Sequence, residues 1–440
     1  MDICVVGLGK LGAPLAAVLA SVGHHVVGVD LNPDTVRALN AGRAPVTEPG
    51  LPERLAMAAG RLRATSDFAD AIPATDISFV IVPTPSGADG AFSNRYVLDA
   101  VRRIGAALRA TDEQGSGRYH VVNITSTVMP GSTGGEIRAA LEHASGRTVG
   151  HNLGLTYNPE FIALGSVVHD LLHPDMVLIG QSDPRAGNTL AAAYALTVPA
   201  ATPVQRMNWV CAELTKIAVN TFVTTKISYA NMIGELCDRL PGADAQVVAT
   251  ALGRDTRIGA KYLKPALGYG GPCFPRDNVA MATLAHSLGL TADIAEATDA
   301  VNRRQVSRIV GLVDRLAPPQ ARVAVLGLSY KPDTPVVDES QGVMIARALA
   351  LAGRTVLVSD PVALESAMAL LGEIVTAVND PAAAVAEADV VVIANPDPIF
   401  AALPAASFAG DKIVLDCWRI LPPELAEMTT IVHLGRGPAC

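Results

Sequence analysis

Three glycines, Gly7, Gly9 and Gly12, stand in G-x-G-x-x-G spacing between an apolar run, ICVVGLG, and a helical one, KLGAPLAAVLASVG. A second apolar run, HVVGVD, closes on Asp30 eighteen residues after Gly12. The first glycine of such a set permits a tight turn, the second lets a pyrophosphate approach the backbone, and the third lets the helix pack close to the strand. The helix N-terminus favours negative charge. A carboxylate closing the second strand hydrogen-bonds ribose hydroxyls and repels a 2′-phosphate, so the pattern predicts a β-α-β unit that takes NAD rather than NADP. Further on, SFVIVPTP and HVVNITSTVMPGST each run an apolar strand into a turn rich in Thr, Ser and Pro, as at the carboxyl edge of a parallel sheet, where ligands bind.

Near the other end, ARVAVLGLSYKPDT, the helical run GVMIARALALAG and the strand TVLVSDP repeat that alternation. The repeat keeps only Gly327 of the glycine set and inserts Lys331, Pro332 and Asp333 between strand and helix, so it is expected to bind something other than a dinucleotide. Between the two, roughly Met207 to Asp238, lies a helical pattern more than twice the average helix length. With 440 residues, the chain is also too long for one core. The expected fold is α/β, two Rossmann-like doubly wound domains joined by a long central helix. The division would be an N-terminal NAD-binding Rossmann domain over 1–204, a central helical dimerisation region with a cysteine loop over 205–300, and a C-terminal Rossmann-like domain over 301–440.

Composition removes several other classes. The net charge is −8 and the longest basic clusters are pairs such as Arg102–Arg103 and Arg303–Arg304, which argues against nucleic acid or a membrane surface as partner. No apolar run approaches the ~20 residues of a membrane helix. The opening MDICVVGLGKLG has no room for a secretory leader. Six scattered cysteines (Cys4, Cys211, Cys237, Cys273, Cys417, Cys440) without CxxC spacing fit reduced thiols in a cytoplasmic protein, with no metal site. Cys4, in a strand pattern, and Cys211 and Cys237, in a helical one, are expected to serve packing.

The segment GYGGPCFPRDNVAMATLAHSLG carries the most chemistry. Its two glycines would let the backbone approach a ligand, and Pro275 suits the first turn of a helix. Cys273 would then sit at the helix N-terminus, where the dipole favours a thiolate. Asp277 lies one turn on, making a nucleophile with a water-positioning carboxylate, although a buried structural cysteine is the alternative. On the central helix, Glu213, Lys216 and Asn220 form a polar stripe that would stabilise an oxyanion if aimed into a cleft, or else a solvated face. Glu160, in the apolar turn YNPEFIALG, is either a buried carboxylate suited to acid–base chemistry or an exposed turn residue.

Taken together, GLGKLG, Glu48–Leu51 (EPGL), Val82–Pro85 (VPTP), STVMPGST, NPEF, AELTK-x-x-x-N, Arg257–Gly259 (RIG), GGPCFPRD and GLSYKPDT resemble the UDP-glucose/GDP-mannose dehydrogenase family over essentially the full length. The resemblance implies a four-electron oxidation of a nucleotide sugar's primary alcohol with two NAD molecules used in sequence. An aldehyde would be trapped by Cys273 as a thiohemiacetal, oxidised to a thioester and hydrolysed. By matching positions, Thr127 and Asp277 would hold water or relay a proton, Lys216 and Asn220 would stabilise oxyanions, and Glu160 would assist hydrolysis. Gly7, Gly9, Lys10, Leu11, Gly12, Asp30, Pro83, Thr84, Thr127 and Arg276 would surround NAD. Phe161, Lys216, Asn220, Arg257, Tyr262, Gly270 and Lys331 would surround the nucleotide sugar, with Arg257 reaching in from a facing surface and Lys331 from the second Rossmann half. A homodimer, or a higher homo-oligomer, through the central helix is expected.

Three positions depart from the family's usual residues. Pro272 replaces a Ser before the cysteine, Arg276 replaces a Lys, and Asp338 stands where an Arg precedes Glu-Ser. The CFPRD form points to UDP-glucose first, with conversion to UDP-glucuronate; GDP-mannose and UDP-N-acetylhexosamine are the alternatives. Two further readings stay open: a two-electron dehydrogenase of the hydroxy-acid type, and a non-catalytic nucleotide-sugar-binding protein with the same fold.

Overall fold

The computed structural model describes residues 1–115 and 117–438, so Cys440 lies outside the described residues. The chain divides into two compact units, Met1–Ala218 and Val219–Cys440. In the first, eight strands form one sheet: β1 (Asp2–Val6), β2 (His25–Val29), β3 (Leu62–Thr65), β4 (Ile77–Val80), β5 (His120–Ile124), β6 (Leu153–Tyr157), β7 (Val177–Gln181) and β8 (Val204–Met207). Their order is β3-β2-β1-β4-β5-β6-β7-β8. The first six follow the doubly wound order, in which the chain reverses direction between β1 and β4 and opens a crevice at the carboxyl edge. Every pairing is parallel except β6 with β7. β4, β5 and β6 are buried along their whole length, as strands covered on both faces must be. The helix Gly12–Ser21 is buried from Gly12 to Ala20, which is why GAPLAAVLAS has almost no polar face.

The second unit repeats the plan with β9 (Val323–Leu326), β10 (Val356–Ser359), β11 (Thr376–Ala377), β12 (Val390–Ile393), β13 (Ile413–Asp416) and β14 (Thr430–His433), all parallel, in the order β11-β10-β9-β12-β13-β14. The duplication extends to single atoms. Gly7 and Gly327 both leave their strands with positive φ, 92° and 94°. Asp30 accepts the amide of Leu8 at 2.7 Å, and Asp360 accepts that of Leu328 at 2.6 Å. A Cβ on Gly12 would lie 1.8 Å from the Gly7 carbonyl oxygen, and one on Gly342 would lie 2.0 Å from that of Gly327. The second half therefore retains two glycines of the set, not Gly327 alone. The insertion before the helix Gln341–Leu351 displaces Gly342 along the sequence while returning it to the same place against the strand.

A continuous helix, Trp209–Cys237, joins the two units. Beyond its end, the LGRG stretch is a packed turn: Asp238 accepts the Gly435 amide at 2.7 Å, and the Gly437 amide reaches the Ala243 carbonyl at 2.9 Å. Among the described residues no helix is long and apolar enough to cross a membrane, and no group of three or more His, Cys, Asp or Glu side chains is placed to hold a metal ion.

Candidate active site

At the carboxyl edge of the first sheet the glycines divide into two kinds. Side chains at Gly7 and Gly12 are excluded by the chain itself, since a Cβ on Gly7 would lie 2.4 Å from the Ile81 carbonyl oxygen. Gly9 is exposed and nothing lies within 4 Å of where its Cβ would be. That open space, beside a helix start that no side chain caps, fits the pyrophosphate of NAD. Asp30 is fixed by the amides of Leu8 and Asn32, at 2.7 and 2.8 Å, and stands at the end of β2, where a ribose would lie. Lys10 and Pro83 are exposed and Leu11 is half-buried along the same edge. The Thr84 hydroxyl donates to the Thr127 carbonyl at 2.7 Å, and Ser126 Oγ donates to Val82 O at 2.7 Å. The two Thr-rich turns are thereby locked together.

Three carboxylates arrange the rest of this half-site. Glu213, fully buried on the central helix, accepts the amides of Gly131 and Thr133 at 2.6 and 2.7 Å and pins the turn that follows Thr127. Glu48 accepts the amides of Gly165 and Val167 at 2.9 and 2.8 Å, closing the loop that carries Glu160. Glu160 itself meets the Tyr194 hydroxyl at 2.8 Å, and burial pushes its carboxyl above the ordinary range. Lys216 donates to the Glu160 carbonyl at 2.7 Å and lies 4.7 Å from the centre of the Phe161 ring. The stripe of Glu213, Lys216 and Asn220 is buried, which removes the solvated-face alternative.

In the second unit, Cys273 is the exposed N-cap residue of the helix Phe274–Ser287. The Asn220 amide donates to Asp277 Oδ2 at 2.6 Å, with both side chains buried, and the Arg276 guanidinium lies 3.5 Å from the other carboxylate oxygen. Phe274 meets the rings of Tyr262 and Tyr269 edge-on, 6.4 and 6.3 Å between centroids. Tyr262 holds a left-handed backbone, φ 66°, a conformation that is costly for a side chain of this size. The Gly-Gly pair has a reason of its own. A Cβ on Gly270 would lie 2.3 Å from the Glu339 carbonyl oxygen and one on Gly271 2.6 Å from the Tyr330 ring, so these positions admit only glycine because the 330–339 loop packs on them. The Gly271 amide donates to the Asp338 carbonyl at 2.9 Å, which places Asp338 and Lys331 on the loop that supports the cysteine. The Asp338 side chain and Pro272 are both exposed. Arg257 is exposed and paired with Asp255 at 2.6 Å.

The cysteines separate by burial. Cys4 is wholly buried and its thiol is pushed up to about 12 by desolvation; Cys237 and Cys417 are also buried and their thiols raised. Cys211 is exposed, against the packing expected of it, because at helical spacing it shares the face of the central helix that carries the exposed Phe222 and Tyr229. Tyr194, Glu48 and the capping role of Glu213 were not assigned from the sequence. Their signal was an isolated polar residue among apolar or small neighbours, which says that a partner exists without saying which.

Three models of the UDP-glucose/GDP-mannose dehydrogenase family match the chain: the NAD binding domain over residues 1–198, the central domain over 210–304 and the UDP binding domain over 324–423. A UDP-glucose 6-dehydrogenase of Haloferax volcanii is 38% identical over 96% of this chain and 97% of its own. A GDP-mannose 6-dehydrogenase of Azotobacter vinelandii is 33% identical over 94% and 96%. The structure of a UDP-glucose dehydrogenase from Pyrobaculum islandicum superposes with a TM-score of 0.89 at 38% identity, covering 99% of this chain and 98% of that one. The chain belongs to the UDP-glucose/GDP-mannose dehydrogenase family and is an NAD-dependent nucleotide-sugar dehydrogenase.

Proposed function

We propose that the protein oxidises UDP-glucose to UDP-glucuronate in two steps, with Cys273 as covalent nucleophile. The observation that carries this reading is the pairing of Asn220 with Asp277, buried and 2.6 Å apart, one turn along the helix that Cys273 caps. A thiol at a helix N-terminus has its thiolate favoured by the end dipole, and a fixed carboxylate and amide nearby orient water and a developing oxyanion. NAD, when bound, supplies the hydride acceptor for each oxidation; Gly9, Asp30, Thr84 and Thr127 would hold it, with Lys10, Leu11, Pro83 and Arg276 beside it. Cys273 adds to the aldehyde carbon, keeping a reactive intermediate attached until the second oxidation makes a thioester, which water then cleaves. Thr127 and Asp277 position that water, Lys216 and Asn220 stabilise oxyanions, and Glu160 assists the hydrolysis. Phe161, Arg257, Tyr262, Gly270 and Lys331 contact the nucleotide sugar. The working division is a cofactor domain over 1–204, a central region over 205–300 and a nucleotide-sugar domain over 301–440, in a cytoplasmic enzyme. The GDP-mannose 6-dehydrogenases among its relatives, one of them 33% identical over 94% of this chain, make GDP-mannose the second substrate to test.

The test is incubation with NAD and a panel of UDP- and GDP-sugars. Two NADH per UDP-glucose consumed, with uronate as product, is the expected result; one NADH per sugar defeats the two-step reading. Cys273→Ala is expected to form no uronate while retaining NAD binding measured by fluorescence, and uronate at the normal rate would exclude Cys273 as nucleophile.

We also infer a homodimer. Val210, Leu214, Phe222, Tyr229, Met232 and Leu236 are all exposed apolar residues on the central helix, and at helical spacing they fall on one stripe.

A further inference from the structure

The surroundings of Glu160 contain one hydrogen too few for a carboxylate. The Tyr194 hydroxyl oxygen lies 2.6 Å from Asn158 Oδ1 and 2.8 Å from Glu160 Oε1. Asn158 cannot be turned about, because its Nδ2 donates to the Leu178 carbonyl at 2.9 Å and reversal would set two carbonyl oxygens against each other. Both neighbours of the phenol are thus acceptors, and a phenol has one hydrogen to give. If Glu160 were ionised, one of these short oxygen–oxygen contacts would hold no hydrogen, in a site where Asn158 and Tyr194 are both buried. If Glu160 carries a proton, the chain is complete: carboxyl to phenol, phenol to amide oxygen, amide to backbone.

We propose that Glu160 is stored as an undissociated carboxylic acid whose proton is held by Tyr194, a positioning residue that passes the hydrogen bond on to Asn158. Loss of that proton leaves a carboxylate, while the Tyr194 hydrogen stays on Asn158 Oδ1, the shorter of its two contacts at 2.6 Å. The titratable groups facing the carboxyl are the Tyr194 phenol, from the helix Pro184–Tyr194, and the Lys216 ammonium, from the central helix. Burial pushes the carboxyl up, against the ammonium, which favours ionisation; the phenol is raised as well, chiefly by burial. The inference rests on the reading of Glu160 as part of the reaction site and deepens it: Glu160 enters the reaction as a proton donor and serves as an acceptor only after that proton has left.

Infrared difference spectra of the full-length protein test this. The wild type minus E160Q spectrum is expected to show, at neutral pH, the C=O stretch of a protonated carboxylic acid, lost on raising the pH. In Y194F the midpoint of that loss is expected to fall by about one unit, the size of a missing hydrogen bond to the acid form. A merely structural Tyr194 would leave the midpoint in place, and a Tyr194 that donated to a carboxylate would move it up on removal. Absence of the acid band at neutral pH, or an unchanged or raised midpoint in Y194F, overturns the proposal; the E160Q comparison decides alone if Y194F does not fold. Uronate formation by E160Q tests the other matter separately. Unimpaired turnover would take Glu160 out of the chemistry without touching the infrared result.

Discussion

His120 shows how a titratable side chain is put to structural use. It is buried in β5, with Nδ1 at 3.0 Å from the Thr75 carbonyl and Nε2 at 2.8 Å from Ser78 Oγ. The carbonyl requires a hydrogen on Nδ1, and desolvation lowers the ring's pKa from 6.5 to about 4, so the ring is neutral near pH 7 and Nε2 accepts from Ser78 Oγ. Because the unfolded chain takes up a proton near 6.5 and the folded one does not until about 4, His120 opposes folding increasingly as pH falls between those values. The cost at the acid end is about 3 kcal/mol. Denaturation of wild type and His120→Gln at several pH values is expected to show a shallower loss of stability in the variant between pH 6.5 and 4; parallel slopes would mean that the ring is charged in the fold.

The strand-to-helix turn makes a sharper division than its glycine spacing suggests. Gly12→Ala would put a methyl group 1.8 Å from the Gly7 carbonyl oxygen. The expected cost is about 3 kcal/mol, the upper end for overpacking, and a lower unfolding temperature. Gly9→Ala meets open space, and Gly9 is not among the glycines with positive φ. Its stability should change by less than about 0.5 kcal/mol. NAD affinity should nonetheless fall by about tenfold or more, because the added methyl occupies space meant for the cofactor. Calorimetry and NAD titration of the pair separate the two effects, and equal losses in both variants would contradict the division. The same logic identifies Gly342 as the counterpart of Gly12, a correspondence hidden in the sequence because fourteen residues separate it from Gly327.

For the molecule as a whole, the apolar stripe on the central helix is the surface proposed above for a homodimer. Tyr229→Asp together with Leu236→Asp would bury charge in a helix-mediated dimer. Light scattering is expected to give the mass of two chains for the wild type and of one for the double variant. A wild type that is already monomeric would exclude the dimer. Both positions lie well along the helix from Asn220, so NAD binding by the variant reports whether the fold has survived.

Much of the architecture follows from local pattern. Glycine spacing, strand-length apolar runs and helical periodicity act over a few residues, and they define two β-α-β starts, a long helix and a cysteine at a helix N-terminus. The partners of buried polar atoms do not follow. Glu213 and Gly131 are eighty-two positions apart, Glu48 and Gly165 one hundred and seventeen, and Asn220 and Asp277 fifty-seven. Such pairs form because desolvation makes an unpaired buried carboxylate costly, and which donor answers it depends on where the chain returns. The Gly270–Gly271 pair teaches the same point. Sequence pattern suggests room for a ligand, whereas in the fold the side-chain positions of both glycines are taken by the 330–339 loop, which leaves only their backbone to meet one. Residue types and local spacing thus determine the elements and the kind of chemistry available, while tertiary structure decides which proton, carboxylate and loop meet, because those choices are made by burial between segments far apart in the chain.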